Sequence, residues 1–336
     1  MCTNFKTKPA KDGSVVVGRS LEFPTAMPTA LAVLPSDFQG SSLAVPGAVA
    51  GKSWKAKFGV VGMCGFGNPA WLLDGLNTEG LSAHLLYMPG GYCTYQLPKG
   101  DGSDVSEVDL IALLLGTCSS VAEAKQAMLS VNVVGVDPGM GFVPPIHCLV
   151  HDATASIAIE FHSDGMRILD NPMGVATNSP YLDWHLTNVQ NYVGLSNQNP
   201  TGIKLDGQSF AAIGQGQGLK GLPGDYTPPA RFVRALAMVE LAEQAKDSRE
   251  TEQLALHILN SFDIPPGLIQ EEGAGGVLTD EVTVWDTIVN LTAGRFAFRT
   301  VSDPTVYVVD LARTDFTKPA RTSELSWTGD FITVTV

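Results

Sequence analysis

Short apolar runs, each closed by a turn signal, recur along most of this chain and limit it to strand-rich folds. They fall at residues 14–19, 30–34, 58–63 and 80–87, then at 146–150, 156–161 and 167–169, and finally at 282–291, 295–300 and 305–311. Glycine (35) and proline (21) make up one residue in six of the 336, above the usual frequency of roughly one in eight. The first strand pair is set by the turn signal Pro9-Ala-Lys-Asp-Gly13. A four-residue loop from Pro9 to Asp12 would pair positions whose numbers sum to 21, placing Cys2 opposite Arg19.

The period changes at residues 109–115 and 121–129, which read as helices, the second opened by the capping-box pattern Ser120-Val-Ala-Glu123. Residues 227–242 form the clearest helix, with Thr227 as its cap and Pro228 where a missing N–H is tolerated. Residues 248–262 form another, with one apolar face. No linker, composition shift or repeat divides the sequence. The expectation is one α+β domain over residues 1–336, with antiparallel sheets inside and helices outside.

Charge excludes several partners. Net charge is −13, with a pI near 4.8, and lysine and arginine form no cluster. Phosphate backbones and anionic lipid surfaces both need clustered positive charge, so neither nucleic acid nor membrane is an expected partner. The longest apolar stretch, Leu110-Ile-Ala-Leu-Leu-Leu115, falls far short of the roughly 20 residues that span a bilayer. The first ten residues hold no apolar signal-like segment, so the chain as written reads as cytoplasmic; it would be periplasmic if a leader had been trimmed.

Two motifs carry less than they suggest. Gly216-Gln-Gly-Leu-Lys-Gly221 matches a dinucleotide fingerprint, but Leu222-Pro-Gly-Asp follows it, where the phosphate needs a helix N-terminus. It reads as a loop. His147 and His151 share one face of a strand while Cys148 points to the other, leaving two convergent ligands, too few for a metal site. No metal and no cofactor are expected. Cys64, Cys93, Cys118 and Cys148 lie in apolar company and read as small hydrophobes.

Cys2 stands apart because of its position. Removing Met1 would leave one residue bearing both a thiol and a free α-amine. Such an amine, with a reference pKa of about 7.7–8.0, is partly neutral near pH 7 and can take a proton. Nucleophile and general base would then be a single residue.

Further segments give Cys2 a context. Gly18-Arg-Ser-Leu-Glu-Phe23, Asp74-Gly-Leu-Asn-Thr-Glu-Gly-Leu81, Thr177-Asn-Ser-Pro180 and Leu222-Pro-Gly-Asp-Tyr-Thr-Pro-Pro-Ala-Arg-Phe232 follow Met1-Cys-Thr3 in order. With these segments the sequence resembles the choloylglycine hydrolase and penicillin V acylase family of N-terminal-nucleophile hydrolases, from Cys2 to about Leu311. The resemblance implies a four-layer αββα sandwich and cleavage of a linear amide. It places the catalytic positions at Cys2, Arg19, Glu22, Tyr87, Asn178 and Arg231.

The implied roles are chemically coherent. Cys2 attacks the scissile carbon, and its own amine moves the proton. Asn178 and the Tyr87 backbone N–H would stabilise the oxyanion. Arg19 would hold positive charge near the sulfur and favour its thiolate. Glu22 would orient the α-amine, and Arg231 would complete the charge network or contact the leaving group.

Departures from the family pattern bear on specificity. Glu22 is one methylene longer than the usual Asp. Tyr87 stands where bile salt hydrolases often carry Asn and penicillin V acylases an aromatic residue. Phe23 also matches an aromatic pocket position, so Phe23 and Tyr87 are the expected substrate-binding residues. Between Asp263 and Val282 the family's extra assembly segment is not evident. These features rank deacylation of penicillin V or N-acyl homoserine lactones first and bile salt hydrolysis second, with an inactive ligand-binding homologue a further alternative. A homo-oligomer, tetrameric by resemblance, is the expected assembly.

Overall fold

The computed structural model describes residues 1–23, 28–43, 51–272, 276–325 and 329. Two antiparallel sheets face each other between layers of helices, as a four-layer αββα sandwich. The first sheet is built from β1 (Cys2–Lys6), β2 (Val16–Phe23), a short β10 (Val175–Ala176), β12 (Leu278–Asn290), β13 (Arg295–Thr300) and β14 (Tyr307–Asp310), in the order β10-β1-β2-β12-β13-β14. The strand β11 (Ile269–Glu272) pairs with the outer end of β12. The segment between Asp263 and Val282 is thus largely a short hairpin.

The second sheet comprises β3 (Thr29–Leu34), β4 (Val60–Gly65), β5 (Leu72–Asn77), β6 (Ser82–Tyr87), β7 (Ile146–His151), β8 (Ser156–His162), β9 (Gly165–Asp170) and β15 (Arg321–Glu324). Its order is β9-β8-β7-β6-β5-β4-β3-β15. Strand β4 is buried on both faces, and its residues alternate between two cores. Val61 and Met63 join the core shared with the first sheet, while Val60 and Cys64 pack under helix α1 (Leu110–Thr117). Such two-sided burial explains why its run reads as continuously apolar.

Helices α1 and α2 (Val121–Leu129) cover the second sheet. The Ser120 side chain caps α2 by accepting from the Glu123 N–H at 3.3 Å, as the capping box predicts. A short helix, α3 (Leu182–Asn188), follows β10. Helices α4 (Pro228–Leu241) and α5 (Ser248–Leu259) cover the first sheet, through residues such as Phe232 and Ile258. One cap differs from expectation. Thr227 occupies the N-cap of α4, but its hydroxyl donates to Asp225 Oδ1 at 2.5 Å and caps nothing. Helix α5 is capped by Asp247, which accepts from the Glu250 N–H at 2.9 Å.

The β1–β2 register also corrects the expectation. Cys2 pairs with Leu21, and Arg19 pairs with Asn4, so paired numbers sum to 23 and not 21. The reason lies in the turn. It closes between Ala10 and Ser14, with Gly13 in the left-handed region at φ +88° and Asp12 accepting from the Ser14 N–H. The slip is of two residues, so Cys2 and Arg19 stay on one face of the sheet.

Candidate active site

Cys2 begins the inner strand β1, with its side chain toward the second sheet and only 2 % of its surface exposed. Thr3 and Phe5 point the other way, toward α4, as strand alternation requires. Arg19, on β2, reaches into the space between the sheets. Its Nη2 lies 3.7 Å from the Cys2 sulfur and donates to the Leu85 carbonyl of β6 at 2.6 Å. The Trp285 ring of β12 lies under the guanidinium, 4.6 Å from its centroid.

Arg19 also meets Asp74 of β5, with Nη1 3.7 Å from Oδ2. His84 Nδ1 stands 2.7 Å from the other Asp74 oxygen, and Thr287 donates its hydroxyl to the carboxylate. Burial alone would raise this carboxyl, but His84, Arg19 and Thr287 outweigh it and hold Asp74 below the ordinary carboxylate range. Beyond His84 the His151 ring follows at 5.5 Å between centroids, bonded to Asn4 Oδ1 at 2.8 Å. A buried polar chain therefore joins the two sheets behind the sulfur, and its far end returns to β1.

Arg231 lies in the first turn of α4 and is fully buried. It donates to the Cys2 carbonyl, to Thr3 Oγ1 at 2.9 Å and to Asn178 Oδ1 at 2.5 Å. These contacts fit a residue that fixes β1 and Asn178, and every one is inside the protein. Asn178 Oδ1 also accepts from the Cys2 backbone N–H at 3.0 Å, and Nδ2 donates one hydrogen to the Tyr87 carbonyl at 2.6 Å. Two buried histidines pin the Asn178 backbone segment. His147 Nε2 lies 3.0 Å from the Thr177 carbonyl and His185 Nε2 lies 2.9 Å from the Asn178 carbonyl.

The Tyr87 backbone N–H leaves its ladder. The neighbouring pair, Met88 and Pro145, carries the hydrogen bond between β6 and β7. Tyr87 and Ile146 therefore form a non-hydrogen-bonded pair, and the Tyr87 N–H points away from β7, to the side where its carbonyl meets Asn178.

Glu22 faces Arg231's side of the sheet and is 1 % exposed. Neither of its carboxylate oxygens has a hydrogen-bond partner among the described residues. Burial pushes this carboxyl up, against the pull of Arg231 and the chain's ammonium terminus. Met1 extends the ladder: its carbonyl accepts from the Glu22 N–H, and its ammonium donates to the Glu22 carbonyl and pairs with the Glu281 carboxylate.

The Cys2 sulfur opens on an apolar pocket. Phe23 and Tyr87 line it, together with Phe66, Trp71, Met140 and Phe142. Phe66 has a left-handed backbone at φ 56° and meets Trp71 edge-on at 6.3 Å. A non-glycine residue held there is strained, and such strain gathers at ligand sites. Cys2, Arg19, Glu22 and Tyr87 thus line one pocket, and Asn178 and Arg231 are bonded to Cys2 behind it.

This arrangement matches known proteins. Residues 2–325 fit the linear amide C–N hydrolases of the choloylglycine hydrolase family. The chain belongs to that family. It is 29% identical to a bile salt hydrolase/transferase of Clostridium perfringens, over 93% of this chain and 92% of the relative. A crystal structure of the C2A mutant of conjugated bile acid hydrolase from Clostridium perfringens superposes with a TM-score of 0.85, at 27% identity and full coverage of both chains. Penicillin V acylase of Pectobacterium atrosepticum is 22% identical over 94% of this chain and 82% of its own. In this member of the choloylglycine hydrolase family, sequence reasoning missed His84 and the loop aromatics Phe66, Trp71 and Phe142, and it noted His151 only as a strand-face histidine. Asp74 was visible inside a motif, but its partner His84 carries no pattern of its own.

Proposed function

We propose that this choloylglycine hydrolase family member cleaves the amide between an apolar acyl group and an amine, with Cys2 as nucleophile once Met1 is removed. The observation that carries this reading is the Cys2 sulfur at the mouth of an aromatic pocket, 3.7 Å from the Arg19 guanidinium. The thiol proton passes to the Cys2 α-amine as the sulfur bonds to the acyl carbon. The α-ammonium then delivers that proton to the departing amine as the C–N bond breaks, and water hydrolyses the thioester. The second Nδ2 hydrogen of Asn178 and the Tyr87 N–H serve the oxyanion. Glu22, with two unpartnered oxygens beside β1, accepts from the new α-ammonium.

The aromatic lining suits a phenoxyacetyl or long-chain acyl group, as in penicillin V or an N-acyl homoserine lactone. Conjugated bile salts are the second reading, favoured by the higher identity to a bile salt hydrolase than to a penicillin V acylase. The test is initial rates on penicillin V, a glycine-conjugated bile salt and a long-chain acyl homoserine lactone, for wild type and Cys2→Ala. Turnover lost in Cys2→Ala supports the reading, and the rate ratios assign the acyl class. Absence of turnover in protein whose intact mass shows Met1 removed would overturn it in favour of a ligand-binding homologue.

A further inference from the structure

The proposed mechanism does not use His84, yet this residue stands two contacts from the sulfur. It pairs with Asp74 directly across β5 and β6, and both side chains are fully buried. Asp74 in turn faces Arg19, and Arg19 faces Cys2.

Asp74 and the Cys2 sulfur compete for one cation. Arg19 Nη1 lies 3.7 Å from Asp74 Oδ2, and Nη2 lies 3.7 Å from the sulfur. A guanidinium and a buried carboxylate left to themselves close to about 2.7–2.9 Å, often through two parallel hydrogen bonds. Here they stay apart. His84 Nδ1 stands 2.7 Å from Oδ1, and the Thr287 hydroxyl donates to Oδ2. Arg19 meanwhile donates to the Leu73 and Leu85 carbonyls, at 3.3 and 2.6 Å. Each Asp74 oxygen therefore has a neighbour nearer than Arg19. We propose that His84 is a positioning residue: by engaging Asp74 Oδ1 it keeps the carboxylate off Arg19 and leaves the guanidinium turned to the Cys2 sulfur. This rests on the reading of Cys2 as the nucleophile.

His84 is itself braced from behind. Its Nε2 lies 3.1 Å from Ser82 Oγ, and the His151 ring packs against it at 5.5 Å between centroids. His151 is held at both nitrogens, by Ser156 Oγ and by Asn4 Oδ1, each at 2.8 Å. Burial keeps the His151 imidazole well below its usual range, so it is neutral and supports His84 without adding a charge. Asn4 lies on β1, two residues from Cys2. The strand that carries the nucleophile thus also fixes the support of the residue that steers its cation.

The test is the rate of Cys2 alkylation by iodoacetamide at pH 7, read by peptide mass spectrometry. Wild type is compared with His84→Leu, His84→Asn, Asp74→Asn and the double variant His84→Leu/Asp74→Asn. His84→Leu frees Asp74 to pair with Arg19, and alkylation should slow about tenfold as the cation leaves the sulfur. His84→Asn puts an amide nitrogen where Nδ1 stood and should stay within about threefold of wild type. In the double variant the competing charge is gone, so the rate should return to the wild-type value or exceed it. A histidine that only supports packing predicts instead a double variant at least as slow as His84→Leu. The proposal is overturned if His84→Leu alkylates at the wild-type rate, if His84→Asn is as slow as His84→Leu, or if the double variant stays slow. Should His84→Leu fail to fold, Asp74→Asn decides alone: faster alkylation supports the competition, and an equal or slower rate overturns it. Alkylation needs neither a substrate nor a free α-amine, so it judges His84 even if no amide is cleaved. Absence of turnover would count against the hydrolase reading only.

Discussion

The Arg19 guanidinium lies 3.7 Å from the Cys2 sulfur, although the two residues are not opposite one another in the β1–β2 ladder. The contact is diagonal: Arg19 leans past Leu21, the same Nη2 donates to the Leu85 carbonyl of the facing sheet, and Nη1 faces Asp74 there. The cation is thus fixed between the two sheets before any substrate arrives.

Arg19→Lys should slow alkylation of Cys2 by iodoacetamide at pH 7 by about tenfold, because an ammonium cannot span the sulfur, Leu85 and Asp74 at once. Peptide mass spectrometry separates Cys2 from the buried Cys64 and Cys148, whose thiols burial pushes up to about 11 and about 12. Arg19→Leu should also cost about 3 kcal/mol in urea unfolding, since it strips one cation from buried Asp74. An unchanged alkylation rate in the lysine variant would remove Arg19 from nucleophile activation.

Asn178→Ala removes the donor to Tyr87 and the acceptor for Arg231 together. Loss of one oxyanion donor predicts a fall in kcat of about 10²–10³ with little change in KM. A rise in KM alone, with kcat intact, would reassign Asn178 to substrate binding.

Phe23→Ala and Tyr87→Ala should each lower kcat/KM for apolar acyl amides by about tenfold or more through lost apolar contact. Both side chains are only partly buried, so the melting temperature should move far less than for a core aromatic such as Phe5. Equal losses on a short acetyl amide would show that the pocket is not where these rings act.

His147 makes stability depend on pH with a definite sign. Burial pushes its imidazole down to about 4, below the ordinary value near 6.5. The unfolded chain takes up the proton first, so stability falls as pH drops from about 6.5, by about 3 kcal/mol on reaching pH 4. Asp286 acts in the opposite sense: burial raises it to about 7, so it costs stability as pH rises from about 4 through 7. His147→Gln can still donate to the Thr177 carbonyl but cannot titrate. Its unfolding free energy should lose less than wild type between pH 6.5 and 4, and an identical slope would refute the assignment.

Much of the strand layout was legible because turn residues and apolar periodicity are local. The predicted β1–β2 register was wrong by two residues, yet Cys2 and Arg19 stayed on one face because side chains alternate with period two. The Thr227 cap was misread because Asp225, two residues earlier, competes for its hydroxyl. Asn178, Glu22 and Arg231 could be named only through resemblance, since each alone looks like a turn, strand or helix-surface residue. The chain from Asp74 through His84 to His151 had no signature, because it exists only where two sheets, far apart in sequence, close on each other.

Met1 is stitched into the β1–β2 ladder through Glu22, with its ammonium against Glu281. An affinity tag fused ahead of residue 1 would take the same path and leave the sandwich intact. Such a preparation would keep the Cys2 thiol, yet it would lack the amine on which the proposed proton transfer depends. Inactive, well-folded material is therefore what a tag at that end should yield, and the purification handle belongs after Val336.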